Sequence, residues 1–212
     1  KLDMPKSYDR VEWHYLEAMM SKLGFSASFI SLVMKCVTSV RFTIKVNGEL
    51  LPFFDPFRGF RQGCPLSPYL FLICAQGLTS LLNHFGGPQI DRGIRVSFNS
   101  PWVSHLLFAD DSLIFLSANV QSALRLNNVL QIYADCSGQA VNREKSSIFF
   151  SGNTDAPVRG ELKRILGIAV EAFSERYLGL PTAVGRITSG SFEHIIERSR
   201  GKCKDGPNGI WL

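Results

Sequence analysis

HLLFADDSLIF, residues 105–115, sets two adjacent carboxylates, Asp110 and Asp111, at a tight turn between two apolar runs. Leu106, Leu107 and Phe108 precede the turn and Leu113, Ile114 and Phe115 follow it. The pattern predicts two core strands joined at their ends, with the acidic pair held at the edge of a sheet. Neighbouring like charges repel, and a cation that neutralises them removes the cost. Mg²⁺ takes one or two carboxylates together with substrate phosphates. A solvated turn is the plain alternative, since Asp is a common turn residue.

Working outward, a two-metal site needs a carboxylate from another strand, and Asp3 in KLDMPKSYDRVEW (1–13) is the candidate. It lies between Leu2 and Met4, just before the first helical pattern. An ordinary exposed Asp is its alternative reading. Asp9 and Glu12 have capping-box spacing, which predicts a helix start there and keeps Asp9 out of the metal set.

The rest of the chain alternates helices and strands. Helical periods are predicted for 11–23, ended at Gly24, and from Ser28, with Phe29, Leu32, Val33, Cys36 and Val37 on one face. Val40 to Phe54 reads as a hairpin turning at Asn47-Gly48. Ser67-Pro68 opens a helix that Gly86-Gly87 is expected to end. Apolar segments follow at Ile94–Phe98 and Trp102–Phe108. Further elements are a helix over 121–135 stopped by Ser137-Gly138, a strand at Ser147–Phe150, and helices at 158–166 and 191–200. This order predicts an α+β domain with a mainly antiparallel sheet.

Of the 212 residues, 45% are hydrophobic, 19% are charged and 16 are Phe, which excludes a disordered or collagen-like chain. The net charge of +5 suits an anionic partner, but it divides as +4 over residues 1–100 and +1 beyond, without a concentrated patch. Five scattered cysteines without a CxxC pair argue against a disulfide scaffold. With no apolar leader and no long apolar run, they predict an intracellular protein, nuclear or cytoplasmic, without a membrane partner. His14, His84, His105 and His194 show no ligand spacing.

Five segments in order, KLDMPKSYDRVEW, RGFRQGCPLSPYLF, HLLFADDSLIF, SGQAVNREKSSIFFS and RYLGLPTAVGR, resemble the successive palm motifs of reverse transcriptases. They are most similar to those of plant non-LTR (LINE-type) retrotransposons, and the resemblance runs to about residue 198. It implies a right-hand polymerase palm over 1–180 and the start of a thumb-side connection over 181–212, with fingers and thumb largely missing. It implies an RNA-directed DNA polymerase that uses two Mg²⁺ ions, an RNA template, a DNA primer and deoxynucleoside triphosphates. By similarity, Asp3, Asp110 and Asp111 bind metal, and Tyr8 crowds the sugar 2′ position. Arg58, Arg61, Gln62 and Gly63 line the nucleotide and template pocket. Lys145 matches the lysine that protonates the leaving pyrophosphate, and Leu178-Gly179 the hairpin gripping the primer end.

Each residue also has a plain reading: Tyr8 as a core aromatic, the arginines in a solvated loop, Lys145 on the surface, Leu178-Gly179 in a turn. Pro5, Ser7, Cys64 and Gln76 depart from the family pattern. On this resemblance the chain starts inside the first catalytic motif, so little or no activity is expected of it alone. A non-catalytic relic or nucleic-acid-binding module is the alternative. An unrelated Mg²⁺-dependent phosphotransferase ranks last, because no phosphate-cradling loop is present.

Overall fold

The computed structural model describes residues 1–90, 93–95, 97–109, 111–171, 176–177 and 180–181. The chain divides into two units, Lys1–Val170 and Glu171–Leu212. The first holds β1 (Leu2–Asp3), α1 (Trp13–Lys22), α2 (Ala27–Thr38), the hairpin β2 (Lys45–Val46) and β3 (Glu49–Leu50), and α3 (Ser67–Ile90). After these come β4 (His105–Phe108), β5 (Asp111–Ile114), α4 (Val120–Ser137) and α5 (Ala156–Leu166). In the second unit β6 (Arg176–Tyr177) pairs antiparallel with β7 (Leu180–Pro181). The fold is thus mixed helix and antiparallel sheet.

The main sheet has the order β1-β5-β4, all antiparallel. One face is apolar: Leu2 and Ser112 are buried, with Leu107 and Ile114 packed at the edge of the core. Period-2 alternation puts Asp3, Leu106, Phe108, Asp111 and Leu113 on the other face. The core beneath is built by α1, α3 and α4, where Leu16, Met20, Cys74, Leu78, Val129 and Tyr133 are buried. Tyr15 meets Tyr133 edge-on at 6.1 Å and donates its hydroxyl to the Cys74 carbonyl at 3.1 Å. Burial pushes the Cys74 thiol up to about 12.

Local chemistry explains most boundaries. Ser26 and Asn119 cap α2 and α4 by accepting the N–H of Phe29 and Ser122. Gly24 and Gly138 take the left-handed conformation after α1 and α4. Asn47 and Gly48 both have positive φ, as a two-residue hairpin turn requires.

Several expectations need correction. Helix α1 starts two residues later than its apolar period, and its N-cap is Glu12 without a side-chain cap bond. Asp9 is spent in a preceding turn, its N–H bonded to the Lys6 carbonyl. Helix α3 continues through Gly86-Gly87 to Ile90, since roughly 1 kcal/mol per interior glycine is too little to end a long helix. Ser147–Phe150 forms no strand; a reciprocal pair of bonds between Ser147 and Lys1 and one bond from Ile148 to Val170 replace a ladder. On α2 only Ile30 and Val33 are buried, while Phe29 and Leu32 are 44% and 58% exposed. The helix reading at 191–200 lies outside the described residues.

Candidate active site

The acidic turn and the first strand meet as their alternation requires. Phe108 pairs with Asp111 across β4 and β5, leaving a two-residue connection in which Ala109 has φ +49°. On the other side of β5, Asp3 pairs directly with Asp111. Directly opposed residues of an antiparallel pair share one face, so the two carboxylates lie side by side. Asp110 lies outside the described residues.

Although β1 is two residues long, it is bonded on both edges. Opposite β5, the Asp3 carbonyl accepts the Asn142 N–H at 2.8 Å and the Asp3 N–H donates to Ser146 Oγ at 3.1 Å. The Lys1 carbonyl accepts the Ser147 N–H at 2.9 Å. Lys1 lies on the same face as Asp3 by alternation, and its Nζ is 3.0 Å from Asp111 Oδ1. Sequence reasoning missed this ion pair; its signal was the i, i+2 spacing of Lys1 and Asp3 on one strand face.

Carboxylate oxygens are the donors a hard divalent cation takes. Directly opposed like charges in a sheet repel, and Lys1 already brings one positive charge to the pair. Asp3 and Asp111 are donors of the type such an ion takes, and Lys1 occupies one of the Asp111 oxygens. Among the described residues no cluster of three or more His, Cys, Asp or Glu is arranged to hold a metal.

The second segment is a loop docked on the entrance to α1. The Gly59 N–H donates to the Val11 carbonyl at 2.8 Å, Trp13 Nε1 to the Gly59 carbonyl at 2.8 Å, and the Phe60 N–H to the Tyr8 carbonyl at 2.9 Å. Tyr8 stacks on Phe71 with centroids 4.9 Å apart and planes 11° off parallel, so its ring is packed against the core as well as next to the loop. Gln62 donates to Asp9 Oδ1 at 3.1 Å, and Gly63 has φ +81°. Arg58 lies 3.6 Å from Glu12 and over the Phe57 ring. The Arg61 carbonyl accepts from Ser67 Oγ at 2.7 Å, while its side chain is exposed. Arg58, Arg61, Trp13, Phe60, Cys64 and Leu70 help line a cavity of about 250 Å³. Backbone N–H groups of Leu66 and Ser67, the first of them dominant, hold the Cys64 thiol below its usual range.

Lys145 is exposed on a turn, its N–H donating to Asn142 Oδ1 at 3.2 Å. Leu178 and Gly179 lie outside the described residues; Tyr177 and Leu180 on either side of them pair across β6 and β7. His105 bonds through Nδ1 with Ser104 Oγ at 2.9 Å and through Nε2 with Thr79 Oγ1 at 3.3 Å, and burial lowers its pKa. The structure thus brings Asp3 and Asp111 together, docks Tyr8 and Gln62 on one loop system, and hangs Lys145 on the outer edge of the Asp3 strand.

The site is a pair of directly opposed carboxylates on a mixed helix and antiparallel-sheet domain, with a glycine-turn loop docked nearby. Comparison with known proteins identifies the family: residues 1–182 match the model for reverse transcriptase (RNA-dependent DNA polymerase). The chain belongs to the reverse transcriptase family. It is 38% identical over 112 residues to an uncharacterised mitochondrial protein of Arabidopsis thaliana, covering 51% of this chain and 88% of that one. It is 27% identical over 154 residues to an uncharacterised 149 kDa protein of transposon TX1 from Xenopus laevis, covering 72% of this chain and 11% of that protein. The family uses divalent metal ions, a template nucleic acid and nucleotide substrates. No described helix is long and apolar enough to cross a membrane.

Proposed function

We propose that residues 1–180 are the palm of an RNA-directed DNA polymerase from a plant LINE-type non-LTR retrotransposon, with 181–212 beginning a thumb-side connection. The observation that carries this reading is the direct pairing of Asp3 with Asp111 next to the acidic turn. Asp3, Asp110 and Asp111 would hold two Mg²⁺ ions, which would lower the pKa of the primer 3′-hydroxyl and screen the triphosphate. Tyr8 sets the width of the sugar site. Gln62 and Gly63 shape the nucleotide and template pocket, and Arg58 and Arg61 offer forked donors to phosphates. The 3′-hydroxyl gives its proton to solvent water as its oxygen bonds to the α-phosphorus and the α–β bridging P–O bond breaks, releasing pyrophosphate. Lys145 Nζ gives its proton to the departing pyrophosphate and regains one from water. Leu178 and Gly179 hold the primer end.

With Lys1 Nζ seated 3.0 Å from Asp111 Oδ1, the chain as it stands is expected to synthesise little or no DNA. The test couples binding to synthesis. Mn²⁺ bound to the chain, followed by electron paramagnetic resonance, should weaken strongly in Asp3→Asn and Asp111→Asn; absence of binding at millimolar Mn²⁺ would overturn the metal site. Primer extension on an RNA template with Mg²⁺ should stay near background. Synthesis abolished by Asp110→Ala would refute the expected inactivity and support the polymerase. Salt-dependent hybrid binding without metal binding would instead establish a non-catalytic nucleic-acid module.

A further inference from the structure

We propose that Asn142 and Ser146 are positioning residues that join Asp3 and Lys145 into one hydrogen-bonded unit; the role of this unit rests on the function proposed above. The turn that follows SGQAV binds the Asp3 peptide at both of its polar ends. The Asn142 N–H reaches the Asp3 carbonyl at 2.8 Å, and Ser146 Oγ accepts the Asp3 N–H at 3.1 Å. Ser146 is wholly buried, and its hydroxyl also donates to the Asn142 carbonyl at 2.6 Å. The hydroxyl therefore bridges the start of its own turn and the acidic strand, donating to one and accepting from the other.

The same asparagine holds the lysine. Asn142 Oδ1 accepts the N–H of Glu144 at 3.1 Å and of Lys145 at 3.2 Å, an Asx turn that fixes the backbone from which Lys145 projects. Main-chain and side-chain groups of one residue thus serve opposite ends of the unit. The Asn142 backbone sets the carbonyl side of Asp3, and its amide oxygen sets Lys145. A lysine on an independent loop would wander by ångströms, whereas catalytic groups need placement to about 0.5 Å. Here the lysine backbone and the Asp3 strand are on two segments tied by these bonds. The bond from Ser146 closes the ring, so slack introduced at Lys145 has a path to Asp3.

The experiment is backbone amide exchange by NMR in the full chain, comparing wild type with Asn142→Ala, Asn142→Asp and Ser146→Ala. The Asn142 side chain makes no described bond to Asp3, so a response there reports coupling and not local contact loss. Asn142→Ala removes the two hydrogen bonds to Oδ1, one of them from Lys145, and is expected to speed exchange about fivefold at both Lys145 and Asp3, with core amides of α4 unchanged. Asn142→Asp keeps the acceptor oxygen and should restore wild-type rates. Ser146→Ala should speed Asp3 by a similar factor and supplies the test if the Asn142→Ala chain does not fold. A second arm adds Mn²⁺, which should broaden Lys145 side-chain resonances in wild type and less so in Asn142→Ala. Unchanged Asp3 exchange in Asn142→Ala, or equal acceleration throughout α4, overturns the unit. Failure of Mn²⁺ to broaden Asp3 and Asp111 while exchange behaves as expected leaves the unit standing and removes the metal reading instead.

Discussion

Gly138→Ala should be among the most damaging single-methyl additions to this chain. Gly138 follows α4 with φ +77°, where an L side chain costs roughly 1–2 kcal/mol. A Cβ there would stand 2.5 Å from the Arg10 carbonyl oxygen and 2.9 Å from Glu12 Cγ. The carbonyl belongs to backbone and cannot swing aside. Relief requires separating the two segments, which are joined by Arg10 Nε to the Gly138 carbonyl at 3.0 Å and by the Glu12 N–H to the Ser137 carbonyl at 2.9 Å. At about 1 kcal/mol for each bond, the total loss is about 3–4 kcal/mol. Gly63→Ala is the control: φ is +81°, but no atom lies within 4 Å of its Cβ position. That variant should lose only the conformational part, about 1–2 kcal/mol. In urea unfolding followed by circular dichroism, the Gly138→Ala midpoint should fall about 1 M further than the control at unchanged slope. Equal midpoint shifts for the two variants would refute the close-approach argument.

The other predictions concern individual side chains. Burial lowers the His105 pKa, so the unfolded chain binds its proton first. The His105 contribution is then present above the unfolded value near 6.5 and lost as pH falls through the lower folded value, and His105→Gln should flatten the melting temperature between about pH 7 and 5. Gln139 is 2% exposed, with neither amide atom bonded to a described partner, so Gln139→Met should raise stability by about 1 kcal/mol in the same urea assay. Cys64, with its thiol held below the usual range, should react with a disulfide reagent ahead of buried Cys74, whose thiol is raised; mass spectrometry of partly labelled chain reads the order. Early labelling of Cys74 would show that α3 opens readily.

How much was readable in advance depended on whether the deciding interaction was local. The Asn47-Gly48 turn, the Gly24 and Gly138 caps and the alternation around the acidic turn each involve neighbours in sequence, and the structure follows them. Asp9 misled because capping-box spacing says nothing of the turn at Lys6 that claims its N–H or of Gln62, 53 residues away, that takes its carboxylate. Ser147–Phe150 misled because apolar residues supply propensity but not a partner strand. Phe29 and Leu32 have helical spacing, yet burial is decided by what packs opposite, and Ile30 and Val33 won that face. At the site, Asp3 was recognisable as a carboxylate between apolar residues. Its clasp by Asn142 and Ser146 spans more than 130 residues and left only the polar NREKSS run as a trace.

The two-sided pairing of β1 also fixes an order of events in synthesis. The strand leaves the ribosome well before its partners, which arrive only with Asp111 and then with Asn142 to Ser147. Closing contacts that far apart carries a large loop-closure cost and follows local structure. Helix α1 can form with α2 early, while Leu2 and Asp3 must wait for the chain to be made as far as Asp111 and then Ser147. The pairing of Asp3 with Asp111 is thus among the last pieces to be completed, and nascent chains halted before residue 142 would carry Asp3, Asp110 and Asp111 without one edge of the strand that bears Asp3.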